Sequence, residues 1–404
     1  MREVISRRTS RVLFLLFFLL GSATTAQTRL SDEAEIAMIT IGPYQGEVWS
    51  AFGHSGIRVY DPQNNIDWFY NYGLYDFDQE NFFLNFAKGL LKYRVGVGRY
   101  ENVVKFYSGQ NRSIREQYLN LNRVEKQQFF NFLQNNIRPE NAEYIYNYVY
   151  DNCATKLRDI TEELYPGRVS FDMSYVEEGK TVRDLMDDYL DYQPWGEFGI
   201  NLGLGTQIDV EAPGYDYMFL PDYIFKAFAG AKLKNDSSEV LLVSRTEIIY
   251  TPTEELHSKS LLTPQAFFVL LFFIIGFITN RNFKTGKRTR WIDTFLFSLA
   301  GFVGMWVAFL WLGTEHLSKW NLNILWAIPF HLPIAFMISR ERFRKFMRNY
   351  FKIVAIWYCV LLVIWVLLPQ PLGMPLVPLV LAMVLRGFYI SYDLRGTKGK
   401  MQAG

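Results

Sequence analysis

Residues 144–164 read YIYNYVYDNCATKLRDITEEL. Tyr144 to Tyr150 is an aromatic-rich alternating run, the pattern of a strand. Asp151 and Asn152 are both suited to cap a helix. Cys153, Leu157, Ile160 and Leu164 then fall on one helical face, and Pro166-Gly167 ends the helix. The pattern predicts a strand, a cap, and a helix whose first residue is a cysteine turned toward the core. A thiol at a helix N-terminus is a chemically useful thiol. Unpaired N–H groups and the helix dipole stabilise its thiolate, and the same N–H groups can hold an oxyanion after attack on a carbonyl.

A thiol nucleophile needs a base. The histidines are His54, His257, His316 and His331. His54 lies in Phe52-Gly53-His54-Ser55-Gly56, where flanking glycines let backbone approach closely. Ile57 and Val59 then alternate as a strand, Asp61 to Asn65 is a turn, and Ile66 to Tyr72 reads as the returning strand. His257 is the competing base, but it sits just before the first long apolar run. A third group usually orients the imidazole. On the returning strand Asp67 and Asn71 are the polar candidates, with Asn71 preferred by analogy with the amide orienters of other thiol enzymes. Arg58 and Asn152 are candidate oxyanion or substrate contacts, with ion-pairing and capping as competing roles. Further out, helix is expected at 78–88, strand at 91–97 and 113–121, and an Asn122-capped helix through Ile137. Trp195 to Gly205 reads as loop, Pro221 to Phe228 as helix, and Glu239 to Tyr250 as a hairpin.

The whole chain divides into two unlike parts. Half of its 404 residues are hydrophobic, and the apolar runs concentrate in the last third. Arg2, Arg7, Arg8 and Arg11, the apolar run Val12–Leu20 and the small residues of 22–26 have the layout of a secretory signal peptide cleaved after Ala26. Five later segments are candidate spans: 261–279, 291–312, 322–338, 351–368 and 374–390. Pro329 and Pro333 interrupt the third. Connections 280–290 and 339–349 each carry several basic residues, from Arg281 to Arg290 and from Arg340 to Arg348, while 313–321 and 369–373 hold only Lys319. The positive-inside rule puts the basic pair in the cytoplasm, and the soluble domain with the other two loops outside. The expected division is 1–26 signal peptide, 27–258 exported thiol-enzyme domain, 259–392 bundle and 393–404 cytoplasmic tail.

Several classes drop out. A net charge of +2 without a basic stripe gives no reason to expect nucleic acid. Cys153 and Cys359 are the two cysteines, and Cys359 lies in an apolar run, so the exported domain has no internal disulfide. No His-x-x-x-His or Cys-x-x-Cys spacing suggests a metal, and no Gly-x-Ser-x-Gly turn suggests a serine hydrolase.

A helix-terminal cysteine opposite a strand-borne histidine is similar to the papain-like thiol enzymes, and a histidine preceding the cysteine fits a circularly permuted version of that fold. More closely, Gly53 to Pro62, Asn71-Tyr72-Gly73, Asp151 to Thr155, Thr314-Glu315-His316 and Asn321 to Pro329 resemble the Lnb-type lipoprotein N-acyltransferases. The resemblance implies an α+β, permuted papain-like (NlpC/P60-like) exported domain followed by an all-α bundle of about five transmembrane helices. It implies an inner-membrane enzyme with its catalytic domain in the periplasm. Its reaction would carry an acyl chain from a membrane phospholipid, through a Cys153 thioester, to the α-amine of a diacylglyceryl-modified lipoprotein, with no cofactor. His316, Asn321 and Asn323 would then bind a headgroup or the incoming amine. Two rivals are a cell-wall peptidase or amidase of the NlpC/P60 type and a non-enzymatic membrane scaffold.

Overall fold

The structure, a computed structural model, describes residues 28–75, 78–235, 238–253 and 261–395. The expected signal peptide, His257 and the end of the cytoplasmic tail lie outside those residues.

A seven-stranded antiparallel sheet organises the N-terminal part. Its strands are β1 (Glu35–Ile41), β2 (His54–Asp61), β3 (Ile66–Tyr75), β4 (Lys92–Arg99), β5 (Ile114–Leu119) and β6 (Glu143–Ile145), joined by β10 (Val243–Tyr250) in the order β10-β5-β1-β2-β3-β4-β6. β7 (Val169–Ser170), β8 (Lys232–Lys234) and β9 (Glu239–Leu241) make a second, small sheet. Strand β1 lies between β2 and β5 and is buried along nearly its whole length. It lacks polar alternation because both faces of the sheet are covered.

Helices α1 (Phe82–Lys88), α2 (Tyr100–Gly109), α3 (Arg123–Asn136) and α4 (Cys153–Leu164) follow in chain order. On one face Phe129, Phe130 and Leu133 of α3, with Leu157 and Ile160 of α4, pack on Met38, Ile57, Val59 and Tyr70. On the other, α2 covers Ile39, Phe69 and Ile114. Next come α5 (Val182–Asp187), α6 (Pro194–Gly203), α7 (Gly214–Tyr217) and α8 (Pro221–Ala229).

The N-terminal part departs from the sequence reading in three places. Of the aromatic run Tyr144 to Tyr150, only Tyr144 and Ile145 are strand, in β6. Asn147 then turns the chain, its side-chain carboxamide oxygen accepting from the N–H groups of Val149 and Tyr150. Residues 239–250 are not one hairpin, because β9 pairs with β8 while β10 pairs with β5. Residues 195–205 are not loop. Glycine at 196, 199 and 203 lowers helix propensity, yet α6 forms because Phe198 and Leu202 pack against the core of the helical bundle.

The C-terminal part is that bundle. Among the described residues, four helical stretches are long and apolar enough to cross a membrane: α9 (Pro264–Thr285), α10 (Arg290–Gly313), the stretch Glu341–Leu367 that includes α12 (Arg344–Ile364), and α13 (Leu376–Asp393). The third expected segment, 322–338, is a broken element: a single 3-10 turn at Leu322–Leu325 and the short α11 (His331–Ala335). Exposed backbone is costly in hydrocarbon, and here neighbouring side chains take up the slack. Trp357 Nε1–H donates to the Leu325 carbonyl at 2.8 Å and the Tyr358 hydroxyl to the Trp326 carbonyl at 2.7 Å. Gly304 allows the approach, since a Cβ there would sit 1.9 Å from the Ala327 carbonyl oxygen.

Candidate active site

Cys153 is the first residue of α4, and Asn152 caps it. The Asn152 carboxamide oxygen accepts from the N–H groups of Ala154 and Thr155 at 2.8 and 3.0 Å, and Thr155 Oγ1 accepts from the Asn152 N–H at 2.8 Å, a reciprocal capping box. With its side-chain N–H groups Asn152 also donates to the carbonyls of Tyr148 and Phe219. Its hydrogen-bonding capacity is therefore spent on holding the helix start and the two segments beside it, so it has no donor left for substrate.

Helix α4 packs on β2. The Cys153 sulfur consequently lies within reach of three backbone N–H groups: its own, that of Ala154, and that of Ser55, the residue after His54. The thiol is half-buried. Burial pushes it up to about 11, against the pull of those N–H groups and of the Arg112 guanidinium.

His54 opens β2. Its Nε2 lies 2.9 Å from Asn71 Oδ1 on β3. An amide oxygen accepts only, so Nε2 carries the proton and Nδ1 keeps the lone pair of a base. The register explains the reach. Asn71 pairs with Gly56, one diagonal step from His54, and Gly73 leaves the space beside the ring unfilled. Burial, with Arg112 adding to it, holds the imidazole down to about 4, while the Asn71 bond acts the other way.

Asp67 is not beside the imidazole. It is bonded to Arg58 at 2.7 and 3.1 Å, and Arg58 also reaches the buried Glu116. Asp67 and Arg58 thus neutralise one another on the sheet face under α2. His316 lies at the junction of the two parts, its Nε2 3.1 Å from the Phe86 carbonyl at the end of α1. Asn321 and Asn323 are buried and bonded to the last carbonyls of α6: Asn321 Nδ2 donates to Leu202 and Gly203 at 2.9 and 3.1 Å, and Asn323 Nδ2 to Leu202 at 3.3 Å. They supply partners that a helix C-terminus lacks.

The sequence reading passed over Arg112. It is 5% exposed, anchored by an Nε–H bond to the Gly42 carbonyl at 2.8 Å, and set over the Tyr107 ring at 4.8 Å. One terminal nitrogen is buried without a hydrogen-bond partner. Its charge is felt by both Cys153 and His54. It lies on the loop after α2 with no motif around it, and only the fold brings it to the thiol. Tyr93 and Tyr146, stacked at 4.2 Å, are likewise within electrostatic reach of Cys153. Among the described residues no cluster of His, Cys, Asp and Glu is arranged to hold a metal.

Two family models match the chain. One is described as the Lnb N-terminal periplasmic domain and covers residues 23–187; the other is described as the Lnb transmembrane domain and covers residues 256–396. No curated protein and no solved structure matches. The matched descriptions make the chain a membrane protein whose N-terminal domain is periplasmic.

Proposed function

Because the chain belongs to the Lnb family by its pair of domains, we propose that it is a thiol-dependent lipoprotein N-acyltransferase of the inner membrane, with Cys153 as nucleophile, His54 as base and Asn71 as the orienting group. The observation that carries this reading is the Cys153 sulfur at a capped helix start, under three N–H groups, beside a strand whose histidine is held in the basic tautomer by Asn71.

Both groups rest uncharged, so the pair works by general-base catalysis rather than from a stored thiolate. His54 Nδ1 takes the thiol proton as the sulfur attacks the carbonyl of a lipid ester. The N–H groups and the Arg112 charge stabilise the oxyanion as it forms. The C–S bond forms, the ester C–O bond breaks, and His54 returns the proton to the departing glycerol oxygen. In the second half the α-amine of a diacylglyceryl-modified lipoprotein attacks the thioester. His54 takes a proton from the amine, the C–N bond forms, and the thiol leaves protonated. The residues alone balance both halves. The fold of the exported domain fits a permuted papain-like (NlpC/P60-like) arrangement, with the helix-borne cysteine and the strand-borne histidine in reversed chain order.

The peptidase and scaffold readings gain less support. A cell-wall substrate gives no reason for α6 to be packed into a membrane bundle, and a scaffold gives none for the Asn71-oriented imidazole. The test is complementation. In a bacterium depleted of its own apolipoprotein N-acyltransferase, the protein should add one acyl mass to lipoprotein N-terminal peptides, and Cys153→Ala should abolish the gain while leaving the protein inserted. Unchanged lipoprotein mass with well-inserted wild-type protein would refute the substrate, and cleaved muropeptides would select the peptidase.

A further inference from the structure

A cavity of about 530 Å³ lies between the thiol domain and the bundle. It falls within the size range of small-molecule sites, about 300–1,000 Å³, and its lining is mostly apolar. It is lined by Tyr93 and Tyr146, the stacked pair within electrostatic reach of the Cys153 thiol. It is lined also by Trp306 and Leu310 of the spanning helix α10. Trp49 and Phe86 also line it and are 71% and 58% exposed, which marks an open lip of large apolar groups. The cavity therefore joins a spanning helix to the aromatic pair near the thiol, with Asn147, Glu315, His316 and Ser318 as the polar residues of an otherwise mostly apolar lining.

We infer that this chamber seats the hydrocarbon chain of an O-acyl glycerol ester, with the ester carbonyl delivered to Cys153 and the chain tail lying against α10. The inference rests on the acyl-transfer reading and adds where the donor chain sits and what selects its length. Moving a chain from bilayer to an apolar chamber gains little, because both are hydrocarbon. The chamber is consequently a ruler rather than a source of affinity: a chain that overfills it must displace packed side chains, and a short one leaves a void. The ester has two sources, a phospholipid or the diacylglyceryl group of the lipoprotein itself, and both present the same chain and carbonyl.

Two substitutions at the chamber wall, neither touching the thiol or imidazole, read the ruler in opposite directions. Gly203 faces Trp306 and Leu310, where an added Cβ meets them at 3.4 and 3.7 Å, ordinary contact distances. Gly203→Leu should shorten the chamber, and Leu310→Ala should lengthen it. Full-length protein is placed in vesicles of phosphatidylglycerol carrying equal amounts of 12-, 14-, 16- and 18-carbon chains. The acyl group on Cys153 is then weighed by mass spectrometry, with and without an S-diacylglyceryl peptide of a fifth chain length. Gly203→Leu should move the thioester distribution at least two carbons shorter, with long-chain loading down at least ten-fold relative to short. Leu310→Ala should move it longer. The fifth chain length on Cys153 identifies the lipoprotein's own ester as donor, and the vesicle lengths identify phospholipid. If Gly203→Leu fails to insert, the shift in Leu310→Ala decides alone. A thioester of unaltered length distribution in the inserted variants overturns the chamber while leaving the acyltransferase reading intact. A wild-type protein that never carries a thioester overturns both.

Discussion

Between about pH 4 and pH 11 neither Cys153 nor His54 carries a charge in the folded protein. Two measurable consequences follow at the level of these residues. In a Cys359→Ala background, iodoacetamide should label Cys153 slowly at neutral pH, with the rate climbing toward pH 11. An apparent thiol pKa below 7 would show a stored thiolate and refute the neutral pair. Acyl transfer should fall as pH drops through about 4, because protonated His54 cannot accept the thiol proton. The stability signs run opposite for the two groups. Folded His54 sits below its ordinary 6.5, so its contribution is lost as pH falls from 6.5 toward 4 and the unfolded imidazole protonates; folded Cys153 sits above its ordinary 9, so its contribution is lost as pH rises from 9 toward 11. His54→Ala should cost roughly 10²–10⁴-fold in rate, the usual worth of a general base. Asn71→Ala should lower the rate while leaving the protein folded, whereas Asp67→Ala should act through Arg58 and leave the pH profile where it was.

Among the elements, α4 and the α10–α13 pair carry the sharpest expectations. Asn152→Ala removes a cap worth typically about 1 kcal/mol and also frees the Tyr148 and Phe219 carbonyls. It should therefore loosen the whole helix start, and Cys153 should become more reactive to alkylation together with a lower melting temperature. In the bundle, the Arg386 guanidinium on α13 is bonded to Asp293 on α10 and, at 3.1 and 3.0 Å, to Thr279 and Asn282 on α9. All three helices converge on one buried cation. Asp293→Ala should destabilise the bundle by about 3–5 kcal/mol, because it leaves that charge unpaired. Thermal unfolding in detergent measures this, and the double substitution Asp293→Leu with Arg386→Met should recover the part of the loss due to Arg386, while the buried Arg288, also 3.5 Å from Asp293, keeps Asp393 at 3.4 Å as its carboxylate partner. A single substitution without effect would mean the pair is not desolvated.

At the scale of the molecule, the two parts are joined by polar caps rather than by a linker alone. Asn321 and Gln370, from two loops of the bundle, donate to the carbonyls of Leu202, Gly203 and Leu204 at the end of α6, and the Gly205 N–H donates to the Leu317 carbonyl at 2.9 Å. Gly205 sits so close to the junction that a Cβ would lie 1.9 Å from the Lys319 carbonyl oxygen. Asn321→Ala combined with Gln370→Ala should uncouple the domains. Acyl transfer from vesicle lipid should then fall well below wild type while both parts remain folded and inserted, and proteolysis near residue 205 should quicken. Loss of insertion itself would instead assign these residues to folding of the bundle.

Local chemistry determined a good deal of this protein from sequence alone. A capping residue before Cys153, apolar residues at helical spacing after it, glycines around His54, long apolar runs and the charges between them are all properties of neighbouring residues. They are legible because helix caps, strand alternation and bilayer thickness impose short periods. Asn71 was within reach of the same logic, since strand register places it one diagonal from His54. Other features depended on residues far apart in the chain. Arg112 stands 41 positions from Cys153 and has no local signature, so only the packing of α4 on β2 and the loop after α2 brings its charge to the thiol. Helix α6 forms against its own glycine content because the bundle buries Phe198 and Leu202. Asn321 and Asn323 sit where a headgroup ligand was expected, but the carbonyls of α6 claim them first. Tertiary structure decided these cases for one reason: a buried donor or apolar side chain must find its partner wherever the fold supplies it, and sequence spacing carries no record of that distance.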